Sequence, residues 1–593
     1  MFSKIELNEE QQAMLVGERG VAKQMGMRLL LDMAATAGVT ELIPIQSAHL
    51  SGVSPLTGGL GLRQFLTKLA SDPSAQVAIP TTLNSAGCDE AQFDEMRIVA
   101  PDFLEHNHEI VARYTDIGVR PTQSCIPYEW NGVVVEGPAA WAESNAICFG
   151  NSYTGLVTNR ESGLSALACA LTGYTPKYGL LHDDARRPNL EVIVTAELND
   201  PTDFSILGDW IGMQRTPDWK TPYGPIPVIK GLPSNLNHEQ KKALTAAAAN
   251  YGSPLVYVEG LSAHIPVGEM QATLMFDAAA LQKRYEDLRP YQPISLITLG
   301  CPQASLGEMR AIAGLLKGQK VAKDAPPLWV FTSSANKAIA EKTGIAQIIT
   351  EAGALLLENT CPEVVPYDRS WVKHILTNSM KAEHYIKSGL NGIPTSVMDL
   401  PSCIDVALGK LEIRDVQPTA ARLEIGVVKD KSSKAKASGQ QSSMVKVKQA
   451  GDFLANGQGL PSQTDFTVVG EAFVTDTPIT LLGFVNRVTG EIEEEMHPAN
   501  GESMAGKIAI FPKGSGSTVA PYVLLELFYR GNAPIAIANT EIDQQSAPAC
   551  SLEGIPYAYN FDDDIIGNIN HGDTVELKRQ GDVVTIRIVQ RIK

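Results

Sequence analysis

Three cysteines, Cys125, Cys301 and Cys361, each begin a loop beside a proline: Cys125-Ile126-Pro127, Cys301-Pro302 and Cys361-Pro362. Thiolates are soft ligands, and three of them converging on one point can hold iron and leave one coordination position open. An open position makes the metal a Lewis acid for a substrate hydroxyl. None of the eight cysteines forms a Cys-x-x-Cys pair, so there is no local metal-binding signature, and any one thiol taken alone reads as buried filler. Other motif matches fail on context. Gly501-Glu502-Ser503-Met504-Ala505-Gly506-Lys507 has the outline of a P-loop, but Ile508 stands where the Mg²⁺-binding hydroxyl belongs, and the run that follows reads as a strand where a helix is needed. Gly58-Gly59-Leu60-Gly61 lacks dinucleotide-binding spacing. His106 and His108 have no partner ligands nearby and read as part of a solvated helix.

These residues need a scaffold. Glu9 to Ala35 has helical spacing, and Ile43 to Gly52, with His49 between two serines, reads as a loop before a second helix. Ile98 to Gly163 is dense in Gly, Pro, Asn and Ser, the composition of irregular, site-building backbone. From Glu191 the pattern becomes α/β. Strands are predicted at Glu191–Leu198, Pro254–Leu261, Ile294–Gly300, Leu328–Thr332 and Gly353–Leu357, and helices at Phe204–Gln214, after Ser305 to Lys317, and after Asn336 to Thr343. Such alternation implies a mostly parallel sheet, whose ligands bind beyond the carboxyl ends of its strands. Cys301, Ser333, Ser334 and Cys361 fall at such ends. A Lys- and Ser-rich stretch, Lys429 to Lys448, reads as a solvated tether. Beyond it, Phe466–Phe473, Ile508–Pro512 and Val583–Ile588 read as strands and Pro521–Arg530 as a helix, a small β/α domain. The predicted division is a large part over 1–426, a linker over 427–460 and a small domain over 461–593.

Composition narrows the function. With 593 residues, 44% hydrophobic content and a formal charge of −17, the chain reads as a multidomain globular protein whose surface repels nucleic acid and anionic membrane. No apolar run approaches the roughly 20 residues of a membrane span. The first ten residues lack the apolar core of a signal peptide, so a cytoplasmic protein is expected.

Several stretches, in order along the chain, resemble the aconitase X family. In the large part they are Ile45-Gln46-Ser47-Ala48-His49-Leu50-Ser51-Gly52, Pro80-Thr81-Thr82-Leu83-Asn84, Glu143-Ser144-Asn145-Ala146, Asn151-Ser152, Thr158-Asn159-Arg160-Glu161, Thr298-Leu299-Gly300-Cys301-Pro302 and Asn378-Ser379-Met380-Lys381-Ala382-Glu383-His384-Tyr385. In the small part they are His497-Pro498, Gly506-Lys507-Ile508 and Gly516-Ser517-Thr518. The resemblance implies a large, multi-lobed, aconitase-like catalytic part with a small swivelling domain. It implies a hydro-lyase using an iron–sulfur cluster, in 2Fe–2S form by preference, or mononuclear iron. Cys125, Cys301 and Cys361 are the implied ligands, with Cys403 in reserve. The fused arrangement resembles members acting on cis-3-hydroxy-L-proline; two-chain members include mevalonate 5-phosphate dehydratase. Many members carry a basic residue just before the Gly-Ser of the small part; here it is Ser515, which weakens the case for a phosphorylated substrate.

Dehydration of a hydroxy acid needs a base for the proton alpha to the carboxylate, an acid or metal for the leaving hydroxyl, and cations for the carboxylate. Ser517, in a Gly-rich turn, is the expected base. Lys381 and Arg160 are expected to clamp the carboxylate, and His49 to act as acid or orient the groups that do. Ser47, Asn151, Ser152, Ser333 and Ser334 are the remaining expected substrate contacts. The class opposed to this is a non-catalytic iron–sulfur electron carrier. The oligomeric state is left open by the sequence.

Overall fold

The computed structural model describes residues 5–214, 225–388, 390–413, 453–494, 497–515, 519–543 and 545–592. Its large part is built on three parallel sheets. The first orders its strands Thr81–Leu83, Ser47–Leu50, Gly137–Trp141 and Leu156–Arg160. The second orders Ala272–Phe276, Leu190–Val194, Pro227–Lys230 and Tyr257–Val258. The third orders Leu355–Glu358, Leu328–Thr332, Leu296–Ala304, Ile375–Thr377 and Thr395–Val397. Leu328 to Thr332 is wholly buried, as a strand covered on both faces must be, and its near-continuous apolar run is the sequence sign of that burial. Serines end several strands and cap the next helix. The Ser333 hydroxyl accepts from the Asn336 N–H, and Ser305 forms a reciprocal capping box with Glu308.

Two sequence expectations change here. His49 lies on the strand Ser47–Leu50, not in a loop; all four residues of that strand are buried in the sheet interior, so it shows no alternation for a pattern to find. The stretch from Ile98 to Gly163 is also more regular than expected, holding the helices Phe103–Asp116 and Ser144–Tyr153 and two strands.

The small part is a closed seven-stranded barrel of Leu454–Gly459, Tyr557–Tyr559, Ala536–Asn539, Ile508–Phe511, Thr467–Val474, Thr574–Gln580 and Val583–Gln590. Leu454–Gly459 pairs with Val583–Gln590, so this part begins before residue 461 and the predicted linker is shorter by that strand. The stretch Lys429 to Lys448 lies outside the described residues. The helix Pro521–Arg530 packs on Pro55–Ala70 of the large part, and one apolar cluster joins Leu62, Phe65 and Leu66 to Tyr522, Val523 and Leu525. Among the described residues no helix is long and apolar enough to cross a membrane.

Candidate active site

The first and third sheets turn their carboxyl ends toward one another, and loops leaving those ends are stitched together. Ala86 N–H donates to Asn359 O at 2.8 Å, and Ser54 Oγ donates to Val364 O at 2.8 Å. Gln303 lies at the centre, fully buried. Its Nε2 donates to Gln123 O at 3.2 Å and to Thr360 O at 3.0 Å, and its backbone N–H donates to Cys125 Sγ at 3.3 Å. One side chain thus ties the three loops that carry Cys125, Cys301 and Cys361. The Leu296–Ala304 strand breaks register between Leu299 and Ala304, which swings Cys301 out of the ladder. Gly300 makes the turn at φ +93, where an added Cβ would meet Phe331 O at 2.1 Å, so only glycine fits.

Beside the thiols stands a buried charge cluster. Lys381 Nζ lies 3.0 Å from Glu143 Oε1 and 2.7 Å from Glu363 Oε1, and 5.3 Å from the centre of the Tyr385 ring. Glu143 accepts from Asn84 Nδ2 and Asn145 Nδ2, each at 2.7 Å, while Cys301 Sγ donates to Glu363 at 3.0 Å. Burial works to lower the Lys381 pKa, but the two carboxylates outweigh it and hold the ammonium well above its ordinary value. Burial raises the Glu363 carboxyl, with Glu143 adding to it; Glu143 is lowered, because Lys381 overcomes its burial.

The donor chemistry fits a soft metal. All three thiols are buried, Cys361 is within electrostatic reach of both Cys125 and Cys301, and burial pushes Cys125 up to about 12 and the other two well above their ordinary value. Such thiols ionise when a cation supplies the charge. Among the described residues no group of three or more His, Cys, Asp or Glu side chains is placed to hold a metal ion, so the fit rests on the donor types and their shared burial.

His49 is fully buried, with Nδ1 2.8 Å from Thr82 Oγ1 and the Asn84 side chain beside the ring. Burial lowers its pKa to about 4 against the pull of Glu143, so the ring is neutral. Arg160 ends its strand with Nε buried and unpartnered among the described residues; Glu161 accepts instead from Tyr178. Arg160 and Lys381 both act on His384, whose pKa burial lowers to about 4. The double pairing of Lys381 alters its expected part, since its charge is already shared by two carboxylates before any substrate arrives.

Other expected contacts are engaged elsewhere. Ser47 begins its strand, at the edge away from the site, donating to Val134 O and accepting from Trp141 Nε1. Asn151 gives Nδ2 to Thr158 O and Pro254 O and receives Thr158 N–H and Arg186 on Oδ1. Ser152 donates to Cys148 O and accepts from Val256 N–H. Ser333 caps its helix and Ser334 begins it. Cys403, the reserve ligand, is core filler on the helix Leu400–Ala407, with Sγ near Met398 O. Ser517 lies outside the described residues. His108 is exposed beside Glu90 on the helix Phe103–Asp116, and Lys507 pairs with Glu471 ahead of a strand, not a helix. Sequence reasoning missed Gln303, Glu143, Glu363 and Asn84; Glu143 and Asn84 lie inside the family-like motifs, whereas Glu363 is marked only by its nearness to Cys361.

Three family profiles match in chain order: aconitase X first domain over residues 4–184, aconitase X third domain over 294–409 and aconitase X swivel domain over 462–586. The phosphomevalonate dehydratase large subunit of Methanosarcina mazei is 34% identical over 414 residues, 68% of this chain and 98% of that subunit. The cis-3-hydroxy-L-proline dehydratase of Pseudomonas aeruginosa is 32% identical over 420 residues, 67% of this chain and 69% of that enzyme. The crystal structure of Thermococcus kodakaraensis aconitase X in its holo-form matches with a TM-score of 0.60 at 33% identity, covering 68% of this chain and all of that one. With profiles for both parts in order and a dehydratase subunit matched over nearly its whole length, the chain belongs to the aconitase X family and is a hydro-lyase.

Proposed function

We propose that this enzyme removes water from cis-3-hydroxy-L-proline to give a pyrroline-2-carboxylate, with iron held by Cys125, Cys301 and Cys361. The observation that carries the substrate class is the Glu143–Lys381–Glu363 cluster. Its two carboxylates share one ammonium, and that excess of acidic groups beside the thiols suits a substrate's ring ammonium rather than a phosphate dianion. Arg160, with its unpartnered Nε, is the group suited to a single carboxylate. The reaction breaks the Cα–H and C3–O bonds, forms the ring double bond and releases the hydroxyl as water. Bound iron would supply the Lewis acidity that eases departure of the hydroxyl. Lys381 orients the two glutamates, and neutral His49, with Asn84 beside its ring, is placed to hold or pass a proton at Nε2. Ser517, in the Gly-rich turn of the small part, is the proposed base for the α-proton.

Mevalonate 5-phosphate is the second reading, favoured by the match to phosphomevalonate dehydratase large subunits over nearly their whole length. The joining of the large and small parts in one chain favours hydroxyproline. The matched stretch is a similar share of this chain and of the hydroxyproline enzyme, 67% and 69%, so those two chains are of similar length. The test is an anaerobic assay of iron-loaded enzyme on cis-3-hydroxy-L-proline, trans-3-hydroxy-L-proline and mevalonate 5-phosphate. Turnover of the cis amino acid alone supports the proposal; turnover of mevalonate 5-phosphate alone replaces it with the second reading.

A further inference from the structure

The helix His238–Ala248 brings a lysine into the interior, and Lys242 is 1% exposed. Its Nζ donates to Gln303 O at 2.8 Å, reaches Pro302 O at 3.5 Å and pairs with the Glu308 carboxylate. Glu308 is itself fixed, accepting from Ser305 N–H at 2.8 Å. Burying an ammonium is costly unless it is paired and fully hydrogen-bonded. Here two of the three acceptors are carbonyls of the turn that carries Cys301. The same residue, Gln303, sends its side chain to the loops of Cys125 and Cys361. A shift of the Gln303 peptide would therefore move all three thiols.

We infer that Lys242 is a positioning residue for the metal centre: it fixes the Pro302–Gln303 carbonyls that set the cysteine loops. The inference rests on the reading of the three cysteines as iron ligands. An ion pair with a purely structural role would, on removal, lower the melting temperature and leave metal affinity unchanged. Partners just outside a metal's ligands typically change affinity by about 10–100-fold when replaced.

The test uses the full chain, stripped of metal and titrated anaerobically with Fe(II) in competition with the chelator ferrozine, alongside the melting temperature of the metal-free protein. Lys242→Met should weaken Fe(II) binding about 10-fold or more, and Lys242→Arg, which keeps charge and donors, should recover most of the loss. A folded Lys242→Met protein with wild-type Fe(II) affinity overturns the inference. Should Lys242→Met fail to fold, the double variant Lys242→Met/Glu308→Gln, which leaves no unpaired buried charge behind, takes its place, and wild-type affinity there has the same meaning. Cys301→Ser separates the two readings: if it binds Fe(II) as tightly as wild type, the ligand assignment falls and the inference with it.

Discussion

Lys381 is held between Glu143 and Glu363 with almost no exposure, and buried pairs punish the loss of one partner more than they reward the pair. Lys381→Met should therefore destabilise the metal-free protein by about 3–5 kcal/mol, read by denaturant unfolding, and should abolish turnover. An unchanged unfolding midpoint would mean that the carboxylates find other partners. Neutral His49 is better placed to relay a proton than to carry charge, so His49→Phe should lower turnover by about 10²–10⁴-fold, the usual worth of a positioned proton-transfer group. A change confined to KM would reduce His49 to a shape element. Sequence made the reactive types legible here and not their neighbours. Cysteines beside prolines are rare enough to notice, and a lysine beside His and Tyr can be suspected of burial. Glutamates and glutamines are common on surfaces, and Glu143 meets Lys381 only through the folding of distant segments. Nothing in the sequence marks Asn151 and Ser152 as bonding to backbone carbonyls, because a polar residue in a family-like motif can serve the backbone as well as a substrate.

Among elements, the closest approach between the two parts depends on glycine. A Cβ on Gly61 would lie 2.3 Å from Glu526 N, and Gly52 and Gly163 form the socket for Tyr522, whose hydroxyl donates to Ser51 O at 3.1 Å. Gly61→Ala should force the helices Pro55–Ala70 and Pro521–Arg530 apart, at about 1–3 kcal/mol as for other overpacked cores. Gly314→Ala, on an exposed helix face with nothing within 4 Å, should instead stabilise by about 0.5–1 kcal/mol. Thermal unfolding of the two variants should give opposite shifts, and shifts of one sign would place the contact elsewhere. Three of the five strands of the third sheet were legible because their apolar runs stand out between helical stretches, whereas Ile375–Thr377 and Thr395–Val397 are three residues each and left no pattern. The strand of His49 was not, being short, wholly buried and partly polar. Barrel closure was equally hidden, since it depends on the pairing of Leu454–Gly459 with strands far along the chain.

Across the whole molecule, Asp32 joins the large part to the small one. It is buried, accepts from Ser462 N–H at 2.7 Å and also receives the Ser462 and Ser551 hydroxyls. Burial pushes its pKa up to about 6 despite those donors. A carboxyl raised in the folded state binds its proton more tightly there. Its favourable contribution is thus full below the unfolded value near 4, shrinks as pH rises toward 6 and is level above that. The swing is about 3 kcal/mol at most. The stability of wild type relative to Asp32→Asn should fall by up to that amount between pH 4 and 6; a constant difference across that range would show that Asp32 does not titrate with docking. The two-part organisation was legible from the Lys/Ser-rich stretch and the change in pattern beyond it. The docking was not, because Asp32, Ser462 and Ser551 carry no mutual spacing signal.

The central claim is that the three cysteine loops tied by Gln303, with Lys381 and its two glutamates, form the iron-dependent dehydration site. The direct measurement is iron content and turnover of cis-3-hydroxy-L-proline, side by side, for Cys125→Ser, Cys301→Ser and Cys361→Ser purified anaerobically. The account predicts folded proteins that have lost both iron and turnover in all three cases. Full iron and wild-type turnover in any one of them would contradict it.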